Sequence, residues 1–193
     1  MKLLYLDTET TGFDPQKNGL IQISGIIEID GVVKEKFDLK CKPFPGQRVT
    51  QGALKINNMT IEQIRSFPQA ASVYKKLERI FDCYIDRYNK ADKFYLIGQN
   101  VKFDYDFHDA WFRNNGNTFL NAHIFYGKVD LLAVTTVFKM AGKINPENAR
   151  LETLAKFFGV ELTAHDALSD ITATREIFLR FISMAKTCEP CQG

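Results

Sequence analysis

The sequence predicts an α/β fold in which a five-stranded mixed sheet is flanked by helices. Three observations predict it. Two alternating apolar segments near the start are joined by a tight hairpin signal. After them, short apolar runs alternate with segments of helical periodicity. No composition shift, linker or repeat divides the 193 residues.

Residues 3–7, LLYLD, carry no charge before their last position, the pattern of a central strand. The turn-rich stretch TGFDPQKNG follows. From 20 to 29 the apolar positions alternate, with Ile21, Ile23, Ile27 and Ile29 on one face, and Asp30-Gly31 signals a hairpin. Val33, Phe37 and Leu39 continue the alternation on the returning strand. Pro43, Pro45 and Gly46 end it, and the region 50–90 turns helical, punctuated by Ser66 and Pro68. There Val73, Leu77, Ile80, Phe81 and Tyr84 fall at helical spacing. Phe94, Leu96 and Ile97 predict a fourth strand ending at Gly98, and Phe103, Phe107, Ala110 and Trp111 mark one face of the next helix. A fifth strand is expected from His123 to Asp130, leading into an apolar helix over 131–140. Asn145-Pro146 breaks the pattern before helices over 151–158 and 167–183. One domain is expected over 1–183, with 184–193 as a C-terminal tail.

Hydrophobic residues make up 45% of the chain and charged residues 25%, ordinary for a globular protein. The opening MKLLYLDTET reaches an acid too soon for a signal peptide or anchor, and no apolar stretch approaches the roughly 18 residues of a membrane span. A cytoplasmic protein without membrane contact is the expectation. The net charge is +2, from 25 Lys+Arg and 23 Asp+Glu. With four acids set aside as metal ligands the remainder carries 25 − 19 = +6, a mild bias toward a polyanion. Cys41 and Cys83 lie far apart. Cys188 and Cys191 form a CxxC, but three histidines and no second CxxC argue for thiols rather than a zinc site.

Four carboxylates and one histidine stand out: Asp7 and Glu9 in YLDTETTGF, Asp104 in GQNVKFD, and His165 and Asp170 in AHDALSD. Residues i and i+2 of a strand share a face, so Asp7 and Glu9 can aim at one point beyond the carboxyl end of the first strand, where α/β sheets gather ligands. Alone, such a pair is more often a solvated loop start. Asp104 falls in the first turn of a helix, where the dipole favours an acid. Parallel neighbouring strands would bring it toward Asp7, with Phe103 and Phe107 burying the adjacent face. His165 and Asp170 are about 140° apart on a helix. They converge only if His165 sits on the loop before a helix starting near Ala167, capped by Asp166. Leu168, Ile171, Phe178 and Phe181 would then pack into the core. His108 and His123 have no catalytic partner in the sequence and read as surface or hydrogen-bonded residues. Buried acids repel unless a cation lies between them, and paired divalent metals serve phosphodiester chemistry. The set points to a metal-dependent nuclease.

Taken together, DTETTGF from Asp7, NVKFD from Asn100 to Asp104 and HDALSD from His165 to Asp170 resemble, in order and spacing, the DEDD superfamily of 3′–5′ exonucleases. The likeness is to its histidine subgroup, that of the proofreading exonucleases and ribonuclease T, and it covers residues 1–183. The LETLAKFFGV segment before the last motif fits as well. The resemblance implies a ribonuclease H-like fold. It also implies two divalent cations, Mg2+ with Mn2+ as substitute, held by Asp7, Glu9, Asp104 and Asp170 with Asp7 bridging both. His165 would deprotonate the attacking water. Thr10, Thr11 and Gly12 match the loop that meets the terminal nucleotide, and Asn100 matches a supporting position. Phe13 is a candidate stacker, and Phe103 a further candidate substrate contact. One segment departs from the pattern. Where the family often shows His-Gly-Ile near the terminal base, this chain has Ile56-Asn57-Asn58-Met59-Thr60, which offers Met59 as a wedge or as a core residue.

The expected reaction is removal of the last nucleotide from a single-stranded 3′ end as a nucleoside 5′-monophosphate, with DNA favoured over RNA. Competing readings are RNA trimming or oligoribonucleotide degradation on the same fold, and a catalytically silent nucleic-acid-binding module. A phosphohydrolase built on His-Asp pairs would need more histidines. The expected partner is a nucleic-acid 3′ end, and the resemblance leaves room for a homodimer or for association with a polymerase or other nucleic-acid enzyme.

Overall fold

In the computed structural model, which describes residues 1–163 and 167–187, the first strand β1 (Lys2–Thr10) lies at the centre of the sheet. Its alternation explains why: Leu4 and Leu6 are buried on one side, Leu3 and Tyr5 on the other, so both faces need cover. β2 (Leu20–Ile29) pairs antiparallel with β1 and β3 (Val32–Lys40) antiparallel with β2. Between them Asp30 and Gly31 take φ 51° and 83°, the left-handed pair that a two-residue hairpin requires. β4 (Tyr95–Gly98) and β5 (Val129–Asp130) add in parallel on the far side, giving the order β3-β2-β1-β4-β5.

One face of the sheet packs Leu6, Ile23, Ile27, Phe37 and Leu39 against α3 (Ala70–Asp82) and α4 (Val101–Asn114). The other packs Tyr5, Ile26 and Ile97 against α5 (Leu131–Met140), α6 (Leu151–Phe158) and α7 (Ala167–Lys186). A third cluster holds the short helices α1 (Gln51–Ile56) and α2 (Ile61–Ser66) through Ile21, Leu54 and Ile64. Each such side chain contributes about 1.5–3 kcal/mol of burial. Gly25 has a specific reason to be glycine: a Cβ there would lie 2.3 Å from the tip of the Phe37 ring.

Several expectations need correction. β5 is two residues long, not eight. Phe94 still exchanges backbone hydrogen bonds with His123 and Phe125, but the chain then leaves the ladder where Phe125 and Tyr126 stack on each other. Val33 belongs to the opposite core from Phe37 and Leu39, because the register shifts between Ile27 and Glu28. Leu168 is exposed, while Ile171, Phe178 and Phe181 are buried as the spacing requires. His108 and His123 are both buried. Neither His108 nitrogen has a hydrogen-bond partner, and His123 Nε2 lies 3.5 Å from Asp82 Oδ1, beyond a formed bond. Cys41 and Cys83 are free thiols. Cys188 and Cys191 lie outside the described residues, as does Asp166. Among the described residues no helix is long and apolar enough to cross a membrane.

Candidate active site

The carboxyl end of β1 delivers Asp7 and Glu9 to the face covered by α7, the same face as Tyr5. The parallel pairing of β1 with β4 sets the following helix, α4, beside them, and Asp104 sits in its first turn. Asp170 occupies the first turn of α7. Thus strands and helices from three distant stretches of chain bring Glu9, Asp104 and Asp170 within electrostatic reach of Asp7. Burial, reinforced by the charges of Glu9 and Asp170, pushes the Asp7 carboxyl up to about 8. Asp104 is buried at 3% exposure and is also raised, first by burial and then by Asp7. The buried Thr8 hydroxyl lies beside it, favouring its charge yet short of a formed hydrogen bond. His165 lies outside the described residues.

These donors suit hard divalent cations: carboxylate oxygens, partly desolvated, each disfavouring the ionisation of its neighbours. Among the described residues, no three acidic, histidine or cysteine side chains already close into a metal cage. The fit therefore rests on the donor chemistry and the mutual repulsion.

The loop after β1 is fixed by its own side chains. Thr11 donates its hydroxyl to the Arg48 carbonyl at 2.6 Å and accepts from the Gly19 amide at 2.7 Å. Thr10 donates to the Gly12 carbonyl at 2.6 Å. Both are buried, so their hydroxyls shape the loop rather than face outward. Asn18, which no motif singles out, fills the space a side chain at Gly12 would need, its amide carbon 2.5 Å from the virtual Cβ. It also donates to the Arg48 carbonyl at 2.9 Å. The loop leaves Phe13 78% exposed, edge-on to Phe103 with ring centroids 6.5 Å apart. Asn100 adopts φ 58° at the start of α4, where its backbone N–H donates to Asp130 Oδ1 at 3.0 Å.

Beside Glu9 opens a cavity of about 430 Å³. Gln22, Asp38 and Lys40 floor it from β2 and β3, Asn57 and Met59 wall it from the turn between α1 and α2, and Gln63 from α2. Gln22 and Ser24 both donate to Asp38 Oδ1 at 2.7 Å. Asn57 donates to the Thr10 carbonyl at 2.9 Å, tying this wall to β1. Asn58 takes φ 49°, a left-handed conformation that asparagine tolerates. The half-buried Met59 reaches the cavity from the edge of the α1–α2 cluster.

A ribonuclease H-like mixed sheet with acids converging at the carboxyl end of its central strand defines a class of nucleic-acid phosphodiesterases. Residues 4–178 match the RNase_T family of exonucleases, and the chain belongs to that family, of the DEDD 3′–5′ class. DNA polymerase III PolC-type of Staphylococcus aureus is 25% identical over 183 residues, 93% of this chain and 11% of the polymerase. The Thermotoga petrophila counterpart is 24% identical over 184 residues, 94% of this chain and 12% of the polymerase. Among solved structures, E. coli Exonuclease I in complex with a dT13 oligonucleotide has a TM-score of 0.76 at 25% identity, covering 96% of this chain and 41% of that one. A product-bound exonuclease I has a TM-score of 0.75 at 23% identity, over 96% of this chain and 46% of that one, a likeness of fold. The chain thus spans a small part of those polymerases and under half of the exonuclease I chains.

Proposed function

We propose that this chain is a metal-dependent 3′–5′ exonuclease that removes nucleoside 5′-monophosphates from a single-stranded end, with DNA preferred. The observation that carries the reading is the gathering of Asp7, Glu9, Asp104 and Asp170 from three distant segments, with Asp7 raised to about 8 in the absence of a counter-charge. A fold has no structural use for such repulsion, whereas a cation site does. The oligonucleotide bound by E. coli Exonuclease I supports a single strand as substrate, and the PolC-type relatives support DNA and association with a polymerase.

Asp7, Glu9, Asp104 and Asp170 would hold two divalent cations, Mg2+ or Mn2+. When bound, such ions supply positive charge for the phosphate and for the attacking and leaving oxygens. The chain's own residues do the rest. His165, as in the histidine subgroup, takes the proton from the attacking water. The cavity beside Glu9 receives the terminal nucleoside, with Met59 against the base. Asn57 holds that wall to Thr10, so nucleoside and acids keep a fixed spacing. Phe13, exposed next to Phe103, stacks a base of the entering strand. We place the exonuclease domain at 1–183.

The test is digestion of matched 3′-labelled and 5′-labelled DNA and RNA strands with and without Mg2+. Stepwise shortening from the 3′ end, abolished by chelation, is expected, faster on DNA. Faster loss of RNA would move the assignment to an exoribonuclease. Metal-independent or internal cleavage would refute it.

A further inference from the structure

The exposed side of α4 and the neighbouring edge of the sheet carry a connected cationic and aromatic strip that the site above does not use. Phe103 and Tyr105 lie one residue to either side of Asp104, each about 100° away around the helix. Rings therefore flank the buried acid on both sides. On the Tyr105 side, Lys128 Nζ sits 3.7 Å over the Tyr105 ring and donates to the Tyr126 carbonyl at 3.3 Å. The Tyr105 hydroxyl donates to Asn121 Oδ1 at 2.8 Å, and Lys93 donates to the Asn121 backbone carbonyl. Tyr126 is 81% exposed and packs its ring on Phe125, with centroids 4.4 Å apart.

The charges are distributed unevenly. Lys102 pairs with Asp106 and Arg113 with Asp109 along α4. Lys93 and Lys128 make no ion pair among the described residues; each is held by a carbonyl, and Lys128 also by a ring. These two lysines stand outside the ion pairs of α4, although Asp106 lies within electrostatic reach of Lys128. With the half-buried Tyr105 ring, the exposed Tyr126 ring and the adjoining helix that carries Asp104, they match a phosphate backbone with unstacked bases.

We propose that Lys93, Tyr105, Tyr126 and Lys128 form a second contact for single-stranded nucleic acid, holding the strand upstream of the nucleotide that occupies the carboxylate site. Tyr126 stacks a base, and the two lysines face phosphates. The proposal rests on the exonuclease reading for which part of the strand lies there, not for the strip's ability to bind.

The experiment compares wild type, Tyr126→Ala, Lys128→Gln and the Lys93→Gln/Lys128→Gln pair on a dinucleotide and on a strand of about twelve nucleotides, a length that reaches beyond the terminal site. For the long strand KM should rise about tenfold per variant with kcat held, while dinucleotide hydrolysis stays near wild type. The slope of log KM against log salt should fall by roughly 0.7 for each lysine removed, and Tyr126→Phe and Lys128→Arg should restore binding. Wild-type KM and salt slope in all three variants would overturn the proposal and leave a purely structural cluster. A wild type that hydrolyses neither substrate would sink the exonuclease reading alone, provided a labelled strand still binds in EDTA and binds less well to the variants.

Discussion

Arg175 Nε donates to Glu28 Oε2 at 2.6 Å inside the layer between α7 and the sheet, where Glu28 is only 2% exposed. The pair joins the helix that carries Asp170 to β2, near Tyr5 on the strand that carries Asp7. Burial and the Glu28 charge push the Tyr5 phenol above its ordinary range, so the ring stays neutral. Glu28→Ala leaves the guanidinium without its counter-charge and is expected to cost about 3–5 kcal/mol in denaturant unfolding. Replacing both partners with methionine should recover most of that loss. A double variant no more stable than Glu28→Ala would show that α7 is held by other contacts.

Asp104→Asn should separate stability from activity. It removes a buried carboxylate that Asp7 and Glu9 disfavour, so the melting temperature is expected to hold or rise by a few degrees. Hydrolysis should fall about a thousandfold or more, because a ligand is lost. A variant with wild-type turnover would remove Asp104 from the site.

Two titrations of opposite sign should shape the pH dependence of the metal-free protein. Asp7 keeps its proton to about pH 8 when folded but releases it near 3.8 when unfolded, so its contribution to stability declines as pH rises through that window. Burial lowers His108 from 6.5 to about 3, so the unfolded chain binds the extra proton and stability declines as pH drops below 6.5. His108→Leu should flatten the acid limb by up to about 1.4 kcal/mol per pH unit. An acid limb unchanged by that substitution would place its origin elsewhere.

Cation binding near pH 7 should displace the Asp7 proton. Titration calorimetry with Mn2+ in two buffers of different ionisation enthalpy should report a net release approaching one proton. Release should vanish well above pH 8. Equal heats in both buffers at pH 7 would contradict the raised Asp7.

Gly12→Ala tests the loop after β1. Its new methyl would fall on the Asn18 side chain at 2.5 Å. The expected loss is about 1–3 kcal/mol of stability, with a rise in KM as Phe13 shifts. Asn18→Ala in the same background should relieve the clash while still losing the bond to Arg48.

Much of this architecture is legible from local rules. The Asp30-Gly31 turn, the alternation of Ile21, Ile23 and Ile27, and the helical spacing of Val73, Leu77 and Phe81 each state a structure in a few residues. The acids were legible because three motifs carry them. Features set by distant partners were not. Nothing near Arg175 in sequence separates it from the solvated arginines of an amphipathic helix; only the approach of β2 buries its partner. The shortening of β5, the side taken by Val33 and the burial of His108 likewise depend on register and on what lies across the sheet. Asn18 looked like an ordinary turn residue, because the Arg48 carbonyl it serves is 30 positions away.

The bond from the Asn57 side-chain amide to the Thr10 carbonyl, with that from the Thr50 backbone amide to the Thr11 carbonyl, fastens the α1 end of the cavity wall to the end of β1 without using Met59. Because that fastening does not involve Met59, this side chain is at liberty to vary, whereas Gln63 is held in the α2 capping box with Thr60. On the proposed placement of the nucleoside, exchange at position 59 is expected to change base preference while the carboxylates keep their places.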